Sequence, residues 1–185
     1  AGRFYPAEPH QLRYVTEACL EEAQASPAPD TTFAVIAPHA GYRYSGKCAA
    51  EAFAQVRGKQ PRRVVLLGRS HHHQFEGASV YQAGAFETPL GTLPIDREFA
   101  YTFARAFGDV EEYPHEEEHA LEVELPFIQI VLGEVPIVPV LFGTDPQPWH
   151  LDAGRVLEQM MEPEDLLVIS TDFSHYLDEV NAKIL

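Results

Sequence analysis

The nine histidines of this 185-residue chain are placed where they raise chemical questions. His71, His72 and His73 stand side by side in "LLGRSHHHQFEGA", directly behind the apolar run Val64, Val65, Leu66, Leu67. Three adjacent imidazoles make a poor core and a costly loop, unless they bind a metal, move a proton or form a polar surface turn. His39 follows a second apolar run in "TFAVIAPHAGY". His175 follows a third in "DLLVISTDFSHY", three residues after Asp172. Imidazole with carboxylate or thiolate suits iron, copper or zinc, and two histidines with one anionic ligand and open positions make a redox-competent site. Neighbouring side chains of an extended loop point to different sides, so one imidazole of the three, His71, is expected to face a pocket. In "DFSH", Asp172 either orients the His175 ring and raises its basicity or caps backbone N–H groups in a turn. "EHALE" sets His119 and Glu122 three apart on a helical face, a usable ligand spacing that a solvated acidic helix would share. His10, His115 and His150 have no supporting context.

These residues need a scaffold that brings strand ends together, and the hydrophobic pattern supplies one. The spacing predicts helices over 10–26, over 45–56 with Ser45 as N-cap, from Asp96 through 107, over 116–133 around Pro126, and over 152–161. Strands are predicted over 32–37, 62–68, 135–143 and 166–170, with a hairpin turning at Thr88 to Gly91. Such alternation reads as α/β: a central mixed sheet flanked by helices. In open α/β sheets, sites lie in loops at the carboxyl ends of strands. The loops of His39, His71 and Asp172 with His175 all have that position, and parallel neighbours about 4.8 Å apart let them converge.

Composition narrows the partners. Hydrophobic residues make up 45% and charged residues 22%, ordinary for a globular chain, and 28 acidic against 13 basic residues give a net charge of -15. That surface repels nucleic-acid phosphates and anionic lipids. No run approaches the ~18 apolar residues of a membrane span, so neither nucleic acid nor membrane is expected as a partner. Cys19 and Cys48 are expected as reduced thiols in a cytoplasmic protein. Dinucleotide, Walker, G-x-S-x-G and H-E-x-x-H motifs are all missing from the sequence.

Six segments together carry a family resemblance: "AGRFYP" at 1–6, "PHAGYRYSG" at 38–46, "LGRSHH" at 67–72, "TPLG" at 88–91, "EHALEVELPF" at 118–127 and "TDFSHY" at 171–176. In order, over nearly the whole chain, they resemble the Memo family, known in bacteria and archaea as the AmmeMemoRadiSam system protein B group. Arg69 departs from the pattern, where a proline is common. The resemblance implies a fold similar to the LigB-like class III extradiol dioxygenases, in a single domain over 1–185 that lacks the family's C-terminal part and leaves a sheet edge open. It implies metal contacts from His39 and His71, proton transfer at His175 beside Asp172, and a cysteine ligand in a segment beyond Leu185. The metal implied is Fe(II) or Cu, ahead of Zn. The activity implied is a mononuclear redox role on an unknown small-molecule or protein substrate, beside radical-SAM and AMMECR-type proteins. The competing expectation is a non-enzymatic binding or scaffold protein with a vestigial pocket. A phosphopeptide partner would then need a basic patch at Arg43 with Lys47 or at Arg62 with Arg63.

Overall fold

The computed structural model describes residues 1–25, 29, 31–107, 109–110, 112–173 and 177–183. In chain order the elements are α1 (Pro9–Glu22), β1 (Ala34–Ala37), α2 (Tyr42–Ala54), β2 (Val64–Arg69), β3 (Ala78–Val80), β4 (Ala85–Thr88) and β5 (Gly91–Pro94). There follow α3 (Arg97–Phe107), β6 (Asp109–Val110), α4 (Leu125–Val131), β7 (Ile137–Phe142), α5 (Pro148–Met160), β8 (Leu166–Ser170) and α6 (Glu179–Ala182). Among the described residues no helix is long and apolar enough to cross a membrane.

The six-stranded sheet runs β1-β8-β2-β7-β3-β6. β1, β8, β2 and β7 are mutually parallel, β3 is antiparallel to β7, and β6 is parallel to β3, so the sheet is mixed. The parallel strands are apolar because helices cover the sheet. Val64, Val65 and Leu66 of β2 are wholly buried, as are Ile137, Val138 and Val140 of β7. Among the described residues β1 is an edge strand, and its Ile36 is half exposed. Helices α1, α2 and α4 pack on one another, while α3 lies against α5, β3 and β7. Stacked Phe53 and Phe127, 5.3 Å between ring centroids, join α2 to α4.

Most element types agree with the sequence pattern; β6 was not expected, and the other differences have local causes. The second helix starts at Tyr42, three residues before Ser45, with Gly41 at the N-cap; Ser45 Oγ instead donates to Ala40 O at 2.8 Å. Asp96 does cap α3, accepting from Phe99 N–H at 3.1 Å. The helix expected over 116–133 is much shorter. Its regular part is a single 3-10 turn, Glu122–Glu124, leading into α4, whose first turn holds Pro126. Proline fits there because the first-turn N–H groups need no helical partner. Residues 116–121 therefore form an irregular approach to the sheet instead of a helical face.

Candidate metal centre

The carboxyl ends of β1, β2, β7 and β8 open into a cleft of about 670 Å³. His39 enters it from the loop after β1, His71 from the loop after β2, and Asp172 and Phe173 from the loop after β8. The Asp172 carboxylate ties two of these loops together: its Oδ1 accepts the backbone N–H of His39 at 2.6 Å and of Ala40 at 3.0 Å. It thus caps N–H groups of another loop. His175 lies outside the described residues. Of the three adjacent imidazoles only His71 lines the cleft. The backbone N–H of His73 donates to Ser70 Oγ at 3.1 Å, and its ring stands edge-on to Tyr113.

His71 is held by Glu118. Its Nδ1 lies 2.8 Å from Glu118 Oε1, and its backbone N–H donates to Oε2 at 2.5 Å. The N–H groups of His119 and Ala120 also donate to Oε1, at 2.8 and 2.9 Å. Burial pushes the Glu118 carboxyl up, but the hydrogen bonds from the His71 ring and these backbone groups outweigh it and hold its pKa at about 2. The same hydrogen bond raises the pKa of His71 against its own burial. An ionised acceptor requires the hydrogen to be on His71 Nδ1, so in the neutral ring it is Nε2 that carries the lone pair. A glycine permits this approach. A Cβ on Gly68 would lie 2.6 Å from Leu121 Cδ2 and 3.4 Å from Ala120 Cβ, so the bare backbone near the end of β2 gives room to residues 120 and 121.

Two more imidazoles adjoin His71. His39 is 4% exposed, its ring perpendicular to that of His71 with centroids 5.1 Å apart. Burial pushes the His39 pKa down to about 4, so the ring is neutral at physiological pH. His119 stacks on His71 at 4.4 Å on one side and on Phe4 at 4.0 Å on the other. Burial and the neighbouring His71 lower its pKa too. On the His39 side, Ser170 Oγ lies 2.8 Å from Nδ1 and 2.7 Å from Oε1 of the fully buried Glu124. His71, Glu118 and His119 bring ligand-type atoms within 4.8 Å of one another and could hold a metal ion.

Sequence reasoning placed His39, His71 and Asp172 on loops that do come together. It missed Glu118, Ser170 and Glu124, and it paired His119 with the wrong carboxylate. Glu122 turns away to the Tyr5 hydroxyl, while the adjacent Glu118 meets His71 and His119. No periodicity in "EHALEVE" marked its two buried carboxylates: Glu118, Ala120, Leu121, Val123 and Glu124 are all buried, an unusual place for carboxylates in a segment whose composition reads as solvated. His150, read as a plain loop residue, caps the start of α5, accepting Gln147 N–H at 2.8 Å, and lines the cleft. Cys19 and Cys48 are free thiols on α1 and α2, and neither belongs to the site.

Fold and cleft together define an α/β protein with a histidine-lined cleft at the carboxyl edge of a mixed sheet. The chain belongs to the Memo family: the model described as "Memo-like protein" matches residues 1–184. It is similar to a MEMO1 family protein of Methanopyrus kandleri, at 35% identity over 95% of this chain and 67% of that protein. A MEMO1 family protein of Aquifex aeolicus is 37% identical over 99% of this chain and 68% of its own length. For the protein memo-1 homolog of Caenorhabditis elegans the identity is 37%, over 95% of this chain and 51% of that one.

Proposed function

We propose that the cleft is a mononuclear metal site for iron(II) or copper, ahead of zinc, with His39 and His71 as protein ligands, in a redox protein of the Memo family. The observation that carries this reading is the Glu118–His71 pair, a carboxylate on Nδ1 with the opposite ring nitrogen left as an electron-pair donor. Carboxylate–histidine pairs of this kind orient metal-binding imidazoles and raise their basicity. The donor set fits a metal: His39 is neutral, His71 is oriented by Glu118, and the two ring centroids lie 5.1 Å apart. Glu118 already accepts four N–H groups, about the capacity of a carboxylate, so it serves as the orienting group and His119 as the stacked wall behind His71. A bound ion would supply electron transfer or oxygen activation.

In the same reading, His175 gives or takes a proton and Asp172 holds its loop to that of His39. A radical-SAM protein and an AMMECR-type protein are the proposed company, and the substrate is a small molecule or protein admitted by the cleft. The alternative phosphopeptide patch loses support from two contacts. Lys47 Nζ lies 2.5 Å from Glu22, and Arg63 is buried between Asp96 and Asp165. The test is anaerobic loading with Fe(II) or with Cu(II), followed by elemental analysis and electron paramagnetic resonance of Cu(II) or of the nitric oxide adduct of Fe(II). One equivalent is expected in the wild type, with loss of the signal in His39→Ala and His71→Ala at unchanged circular dichroism. Glu118→Gln should bind about 10- to 100-fold more weakly. No tight metal in the wild type, or an unchanged signal in both histidine variants, sinks the proposal.

A further inference from the structure

Ser170 stands where three polar groups meet, and its single hydrogen cannot serve all three. Its Oγ lies 2.6 Å from Ala120 O, 2.7 Å from Glu124 Oε1 and 2.8 Å from His39 Nδ1. A hydroxyl gives one hydrogen and receives on two lone pairs. A backbone carbonyl can only accept, so the Ser170 hydrogen goes to Ala120 O. The other two neighbours must then each bring a hydrogen of their own. Glu124 can do so only as a neutral acid, with its hydrogen on Oε1, and His39 only with its hydrogen on Nδ1.

The burial of Glu124 agrees with this assignment. Glu124 is wholly buried, and its Oε2 has no hydrogen-bond partner among the described residues. An ionised carboxylate with one oxygen unpaired there would carry a large desolvation penalty, whereas the carbonyl oxygen of a neutral acid carries a smaller one. The same burial pushes the Glu124 pKa up to about 8.

We infer that Glu124 is a positioning residue, a neutral acid that acts through Ser170 to fix His39 with its hydrogen on Nδ1 and the lone pair of Nε2 free on the ring edge away from Ser170. The arrangement mirrors the one on His71, where an ionised Glu118 does the same directly. The two ring nitrogens are set by opposite protonation states of two carboxyl groups six positions apart in one segment. The inference rests on the proposed metal site only for what Nε2 would bind, because the tautomer is a property of the metal-free protein.

The experiment is a long-range 1H–15N correlation spectrum of metal-free, histidine-labelled protein at neutral pH, which separates the two neutral tautomers. His39 should show its hydrogen on Nδ1. Glu124→Gln should keep that tautomer, because an amide NH2 donates to Ser170 as the acid does. Ser170→Ala and Glu124→Ala should shift His39 toward the other tautomer and weaken metal binding about 10- to 100-fold. An infrared difference spectrum between wild type and Glu124→Gln should contain the C=O stretch of a protonated acid. Wild-type His39 with its hydrogen on Nε2, or a carboxylate band in place of the acid band, overturns the inference. Both readings need only the wild type and the conservative variant, so they hold even where an alanine variant fails to fold. A correct tautomer in a protein that binds no metal would leave the inference standing and sink the proposed function alone.

Discussion

A carboxylic acid buried as deeply as Glu124 makes folding depend on pH in a definite direction. Its folded pKa of about 8 lies above the unfolded value of about 4.3, so the folded state holds a proton that the unfolded chain releases. Its contribution to stability is complete below about 4.3 and is lost as pH rises through about 8. Wild type should therefore lose stability relative to Glu124→Gln across that window, read as urea midpoints of both proteins. Parallel curves would mean that Glu124 is ionised throughout. His39 runs the other way. Its folded pKa near 4 is depressed, so its share is complete above about 6.5 and is lost as pH falls toward 4. Both proteins carry His39, so the comparison cancels it. His39 and His71 were legible in the sequence because each follows an apolar strand. The groups that set their ring nitrogens were not: Glu118 and Glu124 lie in an acidic stretch whose composition alone predicts a solvated face, and only tertiary burial distinguishes them from Glu116 and Glu117.

At the level of elements, the cleft depends on two glycines at the ends of adjacent strands. Gly68 near the end of β2 makes room for Leu121, and Gly143 just after β7 makes room for Phe75, whose backbone N would lie 2.5 Å from an added Cβ. Gly68→Ala meets the end of a flexible side chain, while Gly143→Ala meets backbone and ring together. Overpacking of this kind typically costs about 1–3 kcal/mol. Gly143→Ala is expected at the upper end of that range and Gly68→Ala at the lower, measured by urea denaturation. Gly68→Ala should also weaken metal binding, because Leu121 carries the Glu118 segment with it. Equal and negligible effects would show that the two approaches are looser than their geometry. The strands and the order of elements could be read from the sequence because apolar runs bounded by turn residues carry that information locally. The 118–124 segment could not, because its path is set by Gly68 and by Pro126 in the first turn of α4, and periodicity registers neither the one nor the other.

Across the whole molecule, chemistry and cohesion occupy opposite ends of the sheet. At the amino ends of β2 and β8, Arg63 lies between Asp165 at 3.0 Å and Asp96 at 3.2 Å, with its guanidinium over the Phe99 ring. Removing one partner of a buried ion pair strands the other charge and costs about 3–5 kcal/mol. Arg63→Ala should lose that much stability while its folded fraction keeps wild-type metal affinity; a specific loss of affinity would show that the two ends are coupled. The strand order has a further consequence, in the time course of synthesis. β8, the last strand among the described residues, fills the place between β1 and β2, so those two do not pair with each other there. A nascent chain that has completed seven strands still lacks the one that joins β1 to the rest, and Ser170 and Asp172 arrive only with it. Pairing so distant in sequence is slow, and the unfilled gap presents two strand edges to any neighbour. His39 and His71 are made early, but the chain acquires the cleft only when β8 joins β1 to β2.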